Sequence, residues 1–137
     1  MTILAVDHGS TFIGLAISDP DHIVARPLAA FAHISRKEDA AHVAKTSKDT
    51  GASAILLGTP TDSQGTIVNC NTPINRFVAA LKAHTPIPIY LWDESDSTFR
   101  AQEILGSRYS RQTRPNISLH SVAAAVILQD YLDAYAP

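Results

Sequence analysis

With one cysteine in 137 residues, this chain has no internal disulfide available. Cys70 is read as a bystander, because no Cys–His partner pattern surrounds it, and lone cysteines of this kind fit a reducing cytoplasm. No apolar run approaches the roughly 18 residues that a membrane-spanning helix needs. Met1 leads straight into an apolar strand, without the basic segment and apolar stretch of a signal peptide. Positive charge is not in excess: 11 Lys and Arg face 13 Asp and Glu, for a net charge of -2. The sum alone therefore does not mark a nucleic-acid binder, and the distribution of charge matters more. No linker, repeat or low-complexity segment divides the chain, so residues 1–137 are expected to form one domain, long enough to bury a sizeable core.

What is present begins at the N-terminus. Ile3–Val6 is a short β-branched and aliphatic run, suited to a fully buried strand, and Asp7 stands at its end. Gly9 and Gly14 bracket a tight polar turn that leads into a second apolar strand, Ile13–Ser18. Ser10 and Thr11 add hydroxyls and backbone N–H groups able to hold a phosphate. A carboxylate at a buried strand end, facing such donors, can either cap a hairpin or bring a metal ion and a phosphate together.

The following segments give the architecture. Asp19-Pro20-Asp21 is a turn, and Ile23–Phe31 a third strand placed near an edge by Pro27. Three strands with short turns predict an antiparallel meander. Ser35, with Glu38 three residues on, opens a helix that runs to Thr50 and stops at Gly51. Ala54–Gly58 is a buried strand, and Thr72-Pro73 opens a helix to about Ala83. Ile87–Trp92 is the last strand, with Asp93 and Glu94 at its end. A helix from Ser95 or Ser97 to Leu105 and a final apolar helix over Ser118–Ala134 complete the chain. Strand–helix–strand alternation in the second half predicts parallel pairing.

Two strand-end carboxylates, Asp7 and Glu94, are expected at one edge of the sheet. Paired carboxylates of this kind hold divalent ions for phosphoryl transfer, although Glu94 could also cap the helix that follows. With these residues in view, the sequence resembles the YqgF family, Holliday-junction-resolvase-like nucleases. The resemblance is carried by Ala5-Val6-Asp7-His8-Gly9-Ser10 with Ile13-Gly14-Leu15-Ala16, and by Gly58-Thr59-Pro60 with Gly65-Thr66. It continues through Leu91-Trp92-Asp93-Glu94, Ser97-Thr98, Ala101, Ser110-Arg111, Ala123-Ala124, Ile127-Leu128-Gln129 and Tyr131-Leu132-Asp133, in register over essentially the whole chain. It implies a ribonuclease-H-like α/β fold, a mixed five-stranded sheet with helices on both faces. It also implies a cytoplasmic, Mn²⁺- or Mg²⁺-dependent nuclease that matures the 5′ end of precursor 16S rRNA.

By position, Asp7 and Glu94 match the family's first two metal-binding acids. The third, an aspartate at the start of the last helix, falls on His120. A histidine there can be an ordinary satisfied core residue beside Ala123, Ala124 and Ile127. In the first turn of a helix aimed at the site, a neutral imidazole can instead serve as a ligand and make the site softer, favouring Mn²⁺. Catalytic and metal-binding roles are thus expected of Asp7, Glu94 and His120.

Between Arg100 and Arg114 lies a locally basic segment. Arg108, Arg111 and Arg114, with Tyr109, can contact phosphates and stack on a base, or can simply be solvated. Ser10, Thr11 and Thr66 are the other expected substrate contacts. Beside an rRNA-processing nuclease stand a resolvase of branched DNA and a nucleic-acid-binding module weakened in catalysis by His120. A phosphate-loop ATPase is remote, because such enzymes use two of these domains and this chain has room for one. Expected partners are therefore nucleic acids and no membrane, with the chain a monomer or weak homodimer.

Overall fold

The computed structural model describes residues 2–8, 11–59, 73–93 and 119–135. Five strands form one mixed sheet: β1 (Thr2–His8), β2 (Phe12–Ser18), β3 (Ala25–Ala32), β4 (Ala52–Thr59) and β5 (Ile89–Asp93), in the order β3-β2-β1-β4-β5. β1, β2 and β3 make the expected antiparallel meander, while β4 pairs parallel to β1, and β5 parallel to β4. Pro27 lies on β3, an edge strand, where a missing N–H costs no ladder bond toward a further neighbour.

Strand alternation sorts the side chains onto two faces. On one, Leu4, Val6, Ile13, Leu15, Ile55 and Leu57 pack under α1 (Arg36–Thr50) and α2 (Pro73–Lys82), through Val43, Phe77 and Leu81. On the other, Ile3, Ala5, Ala16 and Leu56 meet Ala124, Ile127, Leu128 and Leu132 of α3 (Leu119–Tyr135). Fully burying a Leu, Ile or Phe contributes about 1.5–3 kcal/mol per side chain, so each face supplies several such increments. Among the described residues, no helix is long and apolar enough to cross a membrane.

The helix ends obey local chemistry. Ser35 Oγ accepts from Glu38 N at 3.1 Å, and α1 stops at Gly51, whose φ of 70° suits a residue without a Cβ. Two strands begin later than expected. β3 begins at Ala25 rather than Ile23, because the Asp19 carboxylate takes the N–H groups of Ile23 (2.7 Å) and Val24 (2.9 Å) out of any ladder. β5 begins at Ile89 rather than Ile87: Pro88 has no N–H to donate, although its carbonyl still accepts from Ile55 N at 2.9 Å. The expected loop over Thr59–Asn71, the helix toward Leu105 and the basic loop lie outside the described residues, except for Thr59, which ends β4.

α3 is clamped onto the sheet at several points. Gln129 accepts from Ala25 N at 3.0 Å and donates to Ile23 O at 2.9 Å. Tyr131 meets the Trp92 ring edge-on, centroids 5.3 Å apart. These contacts give two residues of the C-terminal motif a mechanical role: they fix the helix that carries His120.

Candidate active site

The C-terminal ends of β1, β4 and β5 open on one edge of the sheet, joined there by the start of β2 and the end of β3. Across this edge, register places Gly14, Asp7, Gly58 and Trp92 in one row. Alternation puts Asp7 on the α3 side, with Ile3 and Ala5. Its two neighbours in the row are glycines, so no side chain crowds its carboxylate from the flanking strands. A buried strand thus ends in an acid that no side chain of its paired residues covers.

His120 reaches this acid from the second residue of α3. Its Nδ1 lies 3.5 Å from Asp7 Oδ2, with the Asp7 side chain 13% and the His120 side chain 36% exposed. That separation is longer than a good hydrogen bond. It fits two donors sharing one small divalent ion, which at metal–ligand distances of about 2.0–2.2 Å stand roughly 3 to 3.5 Å apart. Carboxylate oxygen and imidazole nitrogen are the donor set of Mn²⁺ or Mg²⁺ chemistry with some added softness. Among the described residues no third His, Cys, Asp or Glu completes a three-ligand group. Glu94, expected as that partner, follows Asp93 and lies outside the described residues.

Gly14 lets α3 come this close. An added Cβ at Gly14 would stand 2.0 Å from the His120 carbonyl oxygen, 2.2 Å from its carbonyl carbon and 2.7 Å from Ser121 N. The backbone of the first helical turn therefore rests directly on β2, at the residue paired with Asp7.

Of the other expected contacts, Thr11 stands exposed at the edge, its carbonyl accepting from His33 N at 2.8 Å. Ser10, Thr66, Arg108, Arg111 and Arg114 lie outside the described residues. Three features at the edge escape a reading of the sequence alone. Phe12 stacks on His120, ring centroids 5.9 Å apart. His8, on the α1–α2 face, stacks on Phe77 at 4.3 Å. Behind it, His33 hydrogen-bonds the buried Asp39, whose other oxygen accepts from Ile34 N at 3.1 Å. The available signal was strand parity, which sends His8 away from Asp7; the Phe12–His120 contact needed the tertiary fold.

Burial holds the His8 imidazole below its ordinary pKa, against an upward pull from Asp39; His33 adds to the lowering and Asp7 opposes it. Between that lowered value and about 6.5, the unfolded chain binds more protons than the folded one. Stability from this group is thus full above the unfolded value and is lost as pH falls through the folded one. In chelator, the urea midpoint should drop between neutral pH and pH near 5, and His8→Phe should flatten that part of the profile. An unaltered slope in His8→Phe would contradict this assignment.

Comparison with known proteins agrees with the geometry. Residues 1–134 match the family model described as RuvX, Holliday junction resolvase. A protein of Thermoanaerobacter pseudethanolicus named "Putative pre-16S rRNA nuclease" is 35% identical over 98% of this chain and 97% of its own. One of the same name from Clostridium novyi is 33% identical over 98% and 99%. Among solved structures, the fowlpox virus resolvase in complex with Holliday junction DNA superposes with a TM-score of 0.60 at 14% identity, over 100% of both chains. Thermus thermophilus RuvC with its Holliday junction substrate gives 0.55 at 16% identity, over 98% of this chain and 94% of that one. These likenesses show the ribonuclease-H-like fold. With residues 1–134 matched by the family model and 98% of the chain by relatives above 30% identity, the chain belongs to the RuvX (YqgF) family.

Proposed function

We propose that this chain is a divalent-metal-dependent nuclease, one ribonuclease-H-like domain over residues 1–137. It hydrolyses phosphodiester bonds in the 5′-end maturation of precursor 16S rRNA in the cytoplasm, as a monomer or weak homodimer. The observation that carries this reading is the pairing of Asp7 with His120 at the open edge of the sheet, in a chain whose curated relatives bear that substrate in their name. Asp7, His120 and Glu94 are the ligands for Mn²⁺ or Mg²⁺. When bound, such an ion supplies Lewis-acid stabilisation of the phosphoryl oxygens and lowers the pKa of water. The protein's own part is to fix the donors: β1 holds the carboxylate, and Gly14 lets α3 bring the imidazole to it. Ser10, Thr11, Thr66, Arg108, Arg111 and Arg114 hold the substrate's phosphates.

The family's description favours one other substrate, branched DNA. Cleavage of a precursor-rRNA fragment and a four-way DNA junction, side by side in Mn²⁺, Mg²⁺ or chelator, separates the two. Metal-dependent cutting of the RNA alone supports rRNA processing, and cutting of the junction alone supports a resolvase. Binding without cutting in any metal would overturn the nuclease reading and leave a binding module.

His120 also sets the metal. An imidazole in place of a carboxylate removes a negative charge and adds a nitrogen donor, which favours Mn²⁺ over Mg²⁺. His120→Asp should therefore raise activity in Mg²⁺ relative to Mn²⁺. An unchanged ratio of the two activities would count against His120 as a ligand.

A further inference from the structure

Among the described residues at the reaction edge, one exposed aromatic ring stacks on His120. Phe12, the first residue of β2, is 42% exposed. One side of its ring rests on His120, centroids 5.9 Å apart and planes 29° from parallel. It shares a strand face with Gly14, two residues on, and Gly14 pairs with Asp7. The ring thus stands beside the paired carboxylate and imidazole. Its backbone is pinned by pairing with Ala32 and by the neighbouring bond from His33 N to Thr11 O. The other exposed large apolar side chains among the described residues are Ile23 and Val24, just before β3 at the far end of the sheet, Ile34, just after β3, and Tyr90 on β5; of the five, Phe12 is the one stacked on His120.

We infer that Phe12 is a stacking platform for one unpaired base of the substrate, next to the phosphate that is cut. This rests on the nuclease reading above and adds a substrate class to it. A flat ring fixed on a rigid strand offers a base its π-face at little entropic cost, and stacking of this kind accepts any base. Within a continuous duplex that base face is covered by its neighbours. The preferred substrate is therefore a single strand, a fork or an end at which one nucleotide is splayed out.

The contact with His120 allows a simpler role, in which Phe12 only props the imidazole. Abasic substitution in the substrate separates the roles, because a prop is blind to which base is present. We would measure KM and kcat on a short labelled single-stranded RNA and on versions with one abasic nucleotide at each position in turn, using wild type, Phe12→Ala, Phe12→Leu and Phe12→Tyr. One abasic position near the cut should raise KM of the wild type roughly ten- to hundredfold. Phe12→Ala and Phe12→Leu should show the raised KM already, and the same abasic position should raise it no further. Phe12→Tyr, which keeps the ring, should behave as wild type.

An abasic penalty equal in wild type and Phe12→Ala would overturn the inference, as would wild-type behaviour of Phe12→Leu. Cutting of the RNA by wild type with no sensitive abasic position would also overturn it while leaving the nuclease reading standing. Absence of metal-dependent cutting on every strand and on the junction would instead remove the nuclease reading beneath it.

Discussion

Gly14→Ala should cost this protein most of its activity and a measurable part of its stability. The added methyl would sit 2.0 Å from the His120 carbonyl oxygen, a backbone atom that cannot swing aside. Relief requires the first turn of α3 to lift by more than about 1 Å, since non-bonded heavy atoms settle near 3.5 Å. Overpacking of this kind costs about 1–3 kcal/mol, and more where backbone must move. For a chain of this size that is a drop of several degrees in Tm.

The larger effect falls on chemistry. His120 would leave its position opposite Asp7, and a misplacement of about 1 Å can cost on the order of a hundredfold in rate. Gly51→Ala is the control: its φ of 70° makes alanine strained there, but nothing lies within 4 Å of the added carbon, and α1's C-terminus is remote from the reaction edge. It should lower Tm modestly and leave cleavage intact. Equal losses of activity in the two variants would show that Gly14 acts through stability alone.

Asp7→Asn should abolish metal-dependent cutting while leaving the fold in place. The change is isosteric, the side chain is partly solvated, and its flanking row positions are glycines, so repacking is slight. What is removed is the negative charge at the end of β1. Even loss of an outer partner of a ligand costs about 10–100-fold in metal affinity or activity, so loss of the ligand itself should cost at least a hundredfold. Thermal unfolding in chelator should match wild type within about a degree or two, the spread of surface substitutions. Full activity in Asp7→Asn would mean that the catalytic carboxylate lies elsewhere.

Much of this arrangement is legible in the sequence because local rules set it. Ser35, Glu38 and Gly51 mark both ends of α1 by cap chemistry within a few residues of each boundary. Pro27 marks an edge strand, and the run from Ile3 to Val6 marks a buried one ending at Asp7. The start of the last helix, and with it the place of His120, follows from its apolar length.

What escapes the sequence depends on register between distant segments. That Asp7 lies between Gly14 and Gly58, with Trp92 beyond, is set by pairing of β1 with β2 and with strands many residues away. Gly14 reads locally as part of a turn and strand, yet its task is to admit the backbone of a helix more than a hundred residues on. Phe12 reads as part of the turn before Ile13, and its role shows only once the start of α3 is seen against it. Gln129 and Tyr131 carry a family resemblance without a reason, which appears once they are found holding α3 to Ala25, Ile23 and Trp92. Ile23 and Val24 look like strand by composition, but one carboxylate, Asp19, claims both of their N–H groups.

The central claim is that Asp7 and His120 hold one divalent ion between them. A calorimetric titration of Mn²⁺ into wild type, Asp7→Asn and His120→Ala tests it without any nucleic acid present. The account predicts saturable binding to wild type, weakened at least about tenfold by either substitution, with no change in fold. Mn²⁺ affinity untouched by both changes would contradict it, and the Asp7–His120 contact would then be an ordinary polar pair at the end of a strand.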